Sequence, residues 1–425
     1  MVFWLIFLSV PSATVAWWVL THRAVGRLPL AAGRRLATRA ALGAFFFSVL
    51  SVFVWIMVER LADAAPPPTW ARTWTFVWFI AALPASLAIW LVTAITFRAW
   101  RKPAAMGPPG PAAGSVAAAA GPPAELSRRD FLTLTAVAAP PLLTAGFSIK
   151  AHVEHGTFQT REHLVRVDGL PRELEGVTIA HVSDIHIGRY TDAPLLRKIV
   201  EQTNNLRCDL IALTGDLIDF DIDELPTCVD MLRRFDAPSG VVICEGNHDL
   251  FQDPGAFRYG LKTAGLNLLL NESITHRIRG VECEVSGLQW GLPGKQMRAA
   301  GLKENFGHLQ ALLGGNDGTK PAGAIADSRR APFRLHLAHH PHAFELAGQN
   351  GVDLTLAGHT HGGQLMLADG IGPASFVYKY LSGLYSEQNA AGRRVSCVVS
   401  NGTGNWFPLR LGAPAEISKI TLVRA

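Results

Sequence analysis

Three shortages divide this chain in two. Its first 150 residues hold four acidic side chains, Glu59, Asp63, Glu125 and Asp130, against 13 Lys and Arg, and a single histidine, His22. Beyond residue 100 there are only two of the 11 tryptophans, Trp290 and Trp406. The 425 residues include five cysteines, Cys208, Cys228, Cys244, Cys283 and Cys397. An odd number of thiols, widely spaced and set in apolar runs such as VVICEG and VSCVVS, argues against a disulfide framework and against a thiolate metal cluster. They read as buried thiols. The scarcity of acids before residue 150 also makes the basic excess local. Residues 151–425 carry 26 Lys and Arg against 30 Asp and Glu, a mildly acidic balance that argues against a nucleic-acid footprint.

What the first part does have is apolar length. Met1–Leu20, Ala40–Val58, Thr73–Phe97 and the weaker Phe131–Ile149, which contains Pro140 and Pro141, are uncharged runs long enough, or nearly so, to cross a bilayer. Trp17, Trp18, Trp70, Trp74 and Trp100 sit near run ends, where amphipathic rings settle at the membrane interface. The loop between the first two runs carries Arg23, Arg27, Arg34, Arg35 and Arg39, and that between the third and fourth carries Arg98, Arg101, Lys102, Arg128 and Arg129. The second loop has Arg60 and Arg72, offset by Glu59 and Asp63. Positive loops stay in the cytoplasm, so the amino terminus is expected outside and everything after about residue 150 is expected to be extracytoplasmic. SRRDFLTL, Ser127 to Leu134, resembles a bacterial twin-arginine export signal placed internally; the other reading is an arginine anchor holding the last helix. The organisation expected is three transmembrane helices in residues 1–100, a Pro/Gly/Ala-rich linker over 101–127 with its flexible core at Pro103–Ala124, the twin-arginine-like motif with a fourth transmembrane helix over 128–150, and a catalytic domain over 155–425.

Fourteen of the 15 histidines fall in that last part, and they are not scattered. Short β-branched runs each end in polar residues: GVTIAHVSDIHIG, DLIALTGDLID, GVVICEGNHD, FRLHLAHHP and VDLTLAGHTHGG. Strands that alternate with helical segments and end in such loops predict an α/β sheet whose site lies beyond the strand carboxyl ends. The loops deliver Asp184, His186, Asp216, Asn247, His248, His339, His359 and His361. Carboxylates, imidazoles and one amide oxygen without a thiol suit divalent Mn, Fe or Zn. A glycine-flanked turn lets the two imidazoles of GHTHGG diverge toward different ions.

The ordered series of Asp184 and His186, Gly215 and Asp216, Gly246 to Asp249, His339 and Pro341, and Gly358 to His361 resembles the calcineurin-like metallophosphoesterases. The resemblance covers roughly residues 158–425, and within the superfamily it is nearest to bacterial membrane-associated phosphodiesterases, some exported by the twin-arginine route. It implies a four-layer α/β/β/α sandwich around a two-metal centre that activates water for in-line attack on phosphorus. Carried over residue by residue, Asp184, His186 and His361 hold the first metal, Asn247, His339 and His359 hold the second, and Asp216 bridges. His248 contacts phosphate or protonates the leaving group, with Asp249 orienting it. Arg410 is a candidate phosphate contact.

The chain also departs from the pattern. Asp219 stands where the ferric purple acid phosphatases carry tyrosine, so that branch is not expected. Gln289 and Trp290 replace an Asp pair that close relatives often carry, and Gly314–Pro332 reads as a loop insertion. His340 and His342 are expected to be surface or packing residues, or at most in contact with ligands or substrate, and His181 and His336 to be structural. The expected protein is a membrane-anchored phosphodiesterase of a bacterial cytoplasmic membrane, multi-pass, whose partners are the bilayer, an envelope or lipid-linked phosphoester and, on the export reading, the twin-arginine machinery. A phosphomonoesterase, a UDP-diacylglucosamine-type pyrophosphatase and a tethered binding module with a retired site are the alternatives.

Overall fold

The computed structural model describes residues 2–62, 64–99, 127–290 and 333–425; Trp100, the expected linker Pro103–Ala124 and the segment Gly314–Pro332 lie outside the described residues. The chain divides into two compact units, Met1–His152 and Val153–Ala425.

The first unit is helical. Its helices are α1 (Val2–Arg27), α2 (Ala32–Ala62), α3 (Thr69–Val77), which runs through a π-helical turn (Trp78–Ala82) into α4 (Leu83–Ala99), and α5 (Arg128–His155), whose last three residues belong to the second unit. Among the described residues, three stretches are long and apolar enough to cross a membrane: Ala32–Glu59, Thr69–Ile95 and Arg128–His155. Trp17, near the end of its apolar run, packs between helices. It is fully buried, edge-on to Trp78 at 4.7 Å and to Phe45 at 5.7 Å, because large rings fill the space between helices that small residues leave open. The Trp78 indole donates to Thr14 Oγ1 at 3.2 Å, which satisfies its buried N–H. Glu59 and Arg72, read above as loop charges, form a buried ion pair between α2 and α3. The first four residues of the SRRD stretch have a local use as well. Ser127 Oγ accepts from the Asp130 amide at 3.2 Å while the Asp130 carboxylate accepts from the Ser127 amide at 3.3 Å, a reciprocal capping box that starts α5.

The second unit has two facing sheets. The first contains β1 (Phe158–Val167), β2 (Thr178–Val182), β3 (Leu210–Thr214), β4 (Val241–Cys244) and β11 (Ala415–Arg424), in the order β1-β11-β2-β3-β4. The second contains β5 (Glu272–Ile278), β6 (Val281–Gly287), β7 (Arg334–Leu337), β8 (Leu354–Ala357), β9 (Gly383–Gln388) and β10 (Arg394–Val399), in the order β5-β6-β7-β8-β10-β9. Strands β2, β3 and β4 are mutually parallel, as are β6, β7, β8 and β10.

The two-residue period of a strand sorts side chains between layers. In β3, Leu210 and Ala212 enter the core between the sheets, while Ile211 and Leu213 face the core shared with α6 (Ala193–Asn205), α7 (Leu225–Leu232) and α8 (Pro254–Thr263). In β10, Val398 faces the inter-sheet core and Cys397 and Val399 pack toward Phe344 of α9 (Ala343–Gln349). Helices thus cover the outer face of each sheet, which is the expected α/β/β/α order. Each aliphatic side chain fully buried in these layers contributes about 1.5–3 kcal/mol. All five cysteines are free and buried, as their apolar settings implied.

The carboxyl ends of β2, β3, β4, β7 and β8 lead into the loops that carry the candidate ligands, and β3 and β4 are followed by glycines that let those loops touch. Gly215 has φ of +82°, and a Cβ there would come within 2.6 Å of the Glu245 carbonyl carbon. Gly215→Ala therefore combines a left-handed penalty with a backbone clash, together about 2–4 kcal/mol. The thermal inactivation midpoint of the purified full chain is expected to fall by roughly 5–10 °C; a midpoint within a degree of wild type would show that the two loops can separate freely.

Candidate metal centre

Each of the five loops delivers its ligands within four residues of a strand end. Asp184 and His186 follow β2, Asp216 follows β3, Asn247 and His248 follow β4, His339 follows β7, and His359 and His361 follow β8. The structure brings all eight together. His361 Nε2 lies 3.2 Å from Asp184 Oδ1 and 3.0 Å from His186 Nε2. His359 Nδ1 lies 2.9 Å from Asn247 Oδ1 and 3.3 Å from His339 Nε2. Between the two groups stands Asp216, whose Oδ2 is 3.6 Å from His186 Nε2 and 3.1 Å from His339 Nε2.

These separations fit metal ions. Donors sharing an ion at about 2.1 Å lie about 3 Å apart along a coordination edge. The donor set, all oxygen and imidazole nitrogen, is that of borderline-to-hard divalent cations. Three sets of side chains could each hold one: Asp184, His186 and His361; Asp216, His339 and His359; and His186, Asp216 and His248. In the last, His248 Nδ1 is already engaged with the Asp219 carbonyl oxygen at 2.5 Å. The electrostatics agree. Burial lowers His359 to about 3 and His361 to about 4, which keeps both imidazoles neutral with a free lone pair. Burial would lower His339 too, but the adjacent Asp216 carboxylate carries it up to about 9, so this pocket draws positive charge to itself.

Holding these groups together costs backbone strain. Asp184, His186, Asp216, His359 and His361 all have φ between +48° and +69°, the left-handed region that such residues rarely occupy. Strain of this kind costs of order 1–3 kcal/mol per residue and persists where surrounding bonds overdetermine it. Those bonds are visible. The Asp184 amide donates to Gly215 O, and the His186 amide to Asp216 O, each at 3.0 Å. The His359 amide donates to Asp184 Oδ1 at 3.0 Å. His339 Nδ1 is held by the Thr214 carbonyl at 2.6 Å, which fixes the tautomer that turns Nε2 toward Asp216.

Two expected roles are corrected here. The Asp249 carboxylate does not orient His248. It accepts the amides of Asp216 (2.9 Å), Leu217 (2.7 Å), Ile218 (3.1 Å) and Gly246 (2.8 Å), stapling the β3 loop to the β4 loop. Asp219 takes the expected place, with its carbonyl on His248 Nδ1 and its Oδ1 3.4 Å from both His248 Nδ1 and His186 Nδ1. Arg410 is not open to a phosphate. It is fully buried, with Nε donating to Asn405 Oδ1 (2.6 Å), Nη1 to the carbonyls of Asn401 (2.9 Å) and Ala413 (3.0 Å), and Nη2 to Gly404 O (2.6 Å). A guanidinium with its donors spent on backbone oxygens shapes the loop after β10, behind His361. No spacing marks Asp249 as a staple; Asp219 was visible only as the residue that is not tyrosine.

Other histidines sort as expected or more sharply. His181 and His336 are buried, on Thr214 Oγ1 and Ser286 Oγ respectively, each at 2.8 Å. His340 and His342 are in contact at 2.9 Å, and His340 stacks beside His359 at 4.7 Å. Trp290, in the position of the absent Asp pair, lies against His359 at 5.1 Å and edge-on to His339 at 5.3 Å, so an indole forms one wall of the cluster.

Residues 177–363 match the family model of the calcineurin-like phosphoesterases. The chain is 29% identical over 307 residues to a Bacillus subtilis protein named uncharacterized metallophosphoesterase YkuE, covering 70% of this chain and 98% of that one. It is 27% identical over 305 residues to the Escherichia coli phosphodiesterase YaeI, covering 70% of this chain and all of the other. A zebrafish (Danio rerio) transmembrane protein with metallophosphoesterase domain is 29% identical over 61% of this chain and 56% of its own length. Among solved structures, Haemophilus influenzae NAD nucleotidase superposes over 53% of this chain and 45% of its own with a TM-score of 0.35 at 14% identity. The unit that gathers Asp184, Asp216 and their histidines is a calcineurin-like metallophosphoesterase domain, and the protein that carries it is a metal-dependent hydrolase of phosphoester bonds.

Proposed function

We propose that the chain is a membrane-anchored, two-metal phosphodiesterase acting on an envelope or lipid-linked phosphate, with residues 155–425 on the extracytoplasmic side of a bacterial cytoplasmic membrane. The observation that carries the two-metal reading is the placement of one Asp216 oxygen between His186 and His339. Asp184, His186 and His361 would hold one ion, Asn247, His339 and His359 the other, and Asp216 both; Mn, Fe and Zn all suit the donors. When bound, such ions supply Lewis-acid charge to a phosphoryl group and lower the pKa of water. The diester preference is supported by the name of the E. coli relative, and the anchor by the three candidate spans.

The chain's own residues do the rest. His248, pinned through Nδ1 to the Asp219 carbonyl, offers Nε2 to the substrate side. Burial would lower its pKa, but the Asp216 and Asp219 carboxylates raise it, which favours the protonated form a general acid needs. As the bond from phosphorus to the leaving oxygen breaks, that oxygen takes the Nε2 proton and departs as an alcohol. Trp290 excludes water from one side of the cluster.

His248→Ala should leave two ions per chain by elemental analysis yet lower turnover of a diester with an alkoxide leaving group by about 10²–10⁴, with a smaller loss on bis-(p-nitrophenyl) phosphate, whose phenolate departs without a proton. Full activity on a diester with a poor leaving group would remove the acid role. Asp219→Asn deletes a negative charge that favours protonated His248, so the alkaline limb of the pH–rate profile, recorded at saturating metal, should move to lower pH. An unmoved limb would assign that limb to another group.

A further inference from the structure

Between the last metal-cluster histidine and the aromatic wall the chain makes an excursion. Gln364 to Tyr378 is fifteen residues with one charge, Asp369. It starts three residues after His361 and returns at Tyr378, whose ring is 6.0 Å from that of His359. Its underside is built into the domain: Met366, Ala374 and Tyr378 pack with Leu381 and Ala413, and the Met366 amide donates to Leu411 O at 2.8 Å. A turn closed by the Leu367 amide on Ile371 O at 2.8 Å shapes its tip. Yet its outer surface is Leu367, Ile371, Phe376 and Val377, which are 85%, 59%, 94% and 72% exposed. A soluble surface seldom gathers four large apolar side chains on one short, ordered loop; such patches mark a contact. The single charge is neutralised, since Asp369 pairs with Arg161 at 2.7 Å. Across the cluster the rim is apolar as well, with Phe220 and Trp406 exposed and the Trp406 ring 5.8 Å from that of His248.

One apolar phase is always near. Among the described residues of the same chain are three helices long and apolar enough to cross a bilayer, and the last of them ends at His155, three residues before β1 begins at Phe158. A leash that short spans about 10 Å at most. We infer that the Leu367–Val377 loop embeds its tip in the headgroup layer of the bilayer and so brings the metal cluster to the level of phosphodiesters borne by lipids. The loop's position beside the cluster then makes lipid-borne phosphate the substrate class. That second clause rests on the phosphodiesterase reading above, whereas the docking does not.

The five native cysteines are all buried, so a thiol introduced by Phe376→Cys in the full chain can be labelled selectively. With an environment-sensitive NBD maleimide on that thiol and the protein in proteoliposomes, docking gives blue-shifted emission quenched by lipids spin-labelled near the headgroup. Water-like emission that soluble iodide quenches and spin-labelled lipid does not would overturn it. So would energy transfer between labelled copies without lipid quenching, which would make the loop a protein–protein contact. The double variant Phe376→Ser/Val377→Ser is expected to keep wild-type turnover on soluble bis-(p-nitrophenyl) phosphate and to lose about tenfold or more on a phosphodiester lipid in the same vesicles. Equal turnover on the vesicle-borne diester, or equal loss on both substrates, would overturn the substrate assignment. If wild type cleaves neither, the phosphodiesterase reading fails while the fluorescence still decides docking.

Discussion

Two carboxylates, Asp184 and Asp216, are buried beside four ring nitrogens and an amide oxygen that point lone pairs at the same small volume. No arrangement of protein groups alone makes that comfortable: carboxylates repel, and burial removes the water that would screen them. The domain is organised around tolerating this convergence. Strands from both sheets aim loops at it, and five ligands accept left-handed backbone to reach it. Asp249 spends a whole carboxylate on the amides of the loops that meet there, and Arg410 spends a whole guanidinium on the carbonyls behind. A divalent cation is the simplest group that turns the repulsion into attraction.

The convergence of the candidate side chains was legible because metal chemistry restricts residue types and the strand–loop rhythm restricts their places. Asp184, His186, Asp216, Asn247, His339, His359 and His361 all follow β-branched runs, and a strand carboxyl end in a parallel sheet is a site by geometry. The four layers were legible for a related reason. Leu210 and Ala212 alternate with Ile211 and Leu213, so β3 announces apolar neighbours on both faces. The residues misread were those whose role depends on distance. Asp249 neighbours His248 in sequence, yet its side chain turns to amides 31–33 residues back. Arg410 is a phosphate-type residue consumed by oxygens within nine positions of itself. Spacing along the chain cannot distinguish a polar group facing a ligand from one facing the backbone.

The two units differ in how they satisfy polar groups. In the helical unit, among the described residues, hydroxyls return to their own helix, as Thr21 Oγ1 does on the Trp17 carbonyl at 3.0 Å, and a few side chains join helices, as Trp78 does with Thr14 and Arg72 with Glu59. Helices satisfy their own backbone, which is what an apolar surrounding demands. In the second unit polar side chains bridge distant segments, as Arg393 does with Asp353 and Arg279 with Asp209. Long loops leave amides and carbonyls unpaired, and side chains must reach them.

The order of strands has a consequence for how this domain comes into being. The outermost strand of the first sheet, β1, pairs in parallel with β11, residue 158 opposite residue 415 and so on for ten residues, and β11 in turn separates β1 from β2. Every candidate metal ligand has been synthesised by residue 361, well before the strand that joins the sheet together. A nascent chain therefore carries its full complement of ligands on an incomplete scaffold, with β1 and β2 each presenting an open edge to anything that will pair. Closure across so long a stretch of sequence is slow and all-or-none in character. Completion of the first sheet thus depends on a strand that lies outside the candidate metal cluster in sequence, and until it pairs the open edges of β1 and β2 are the exposed, association-prone surfaces.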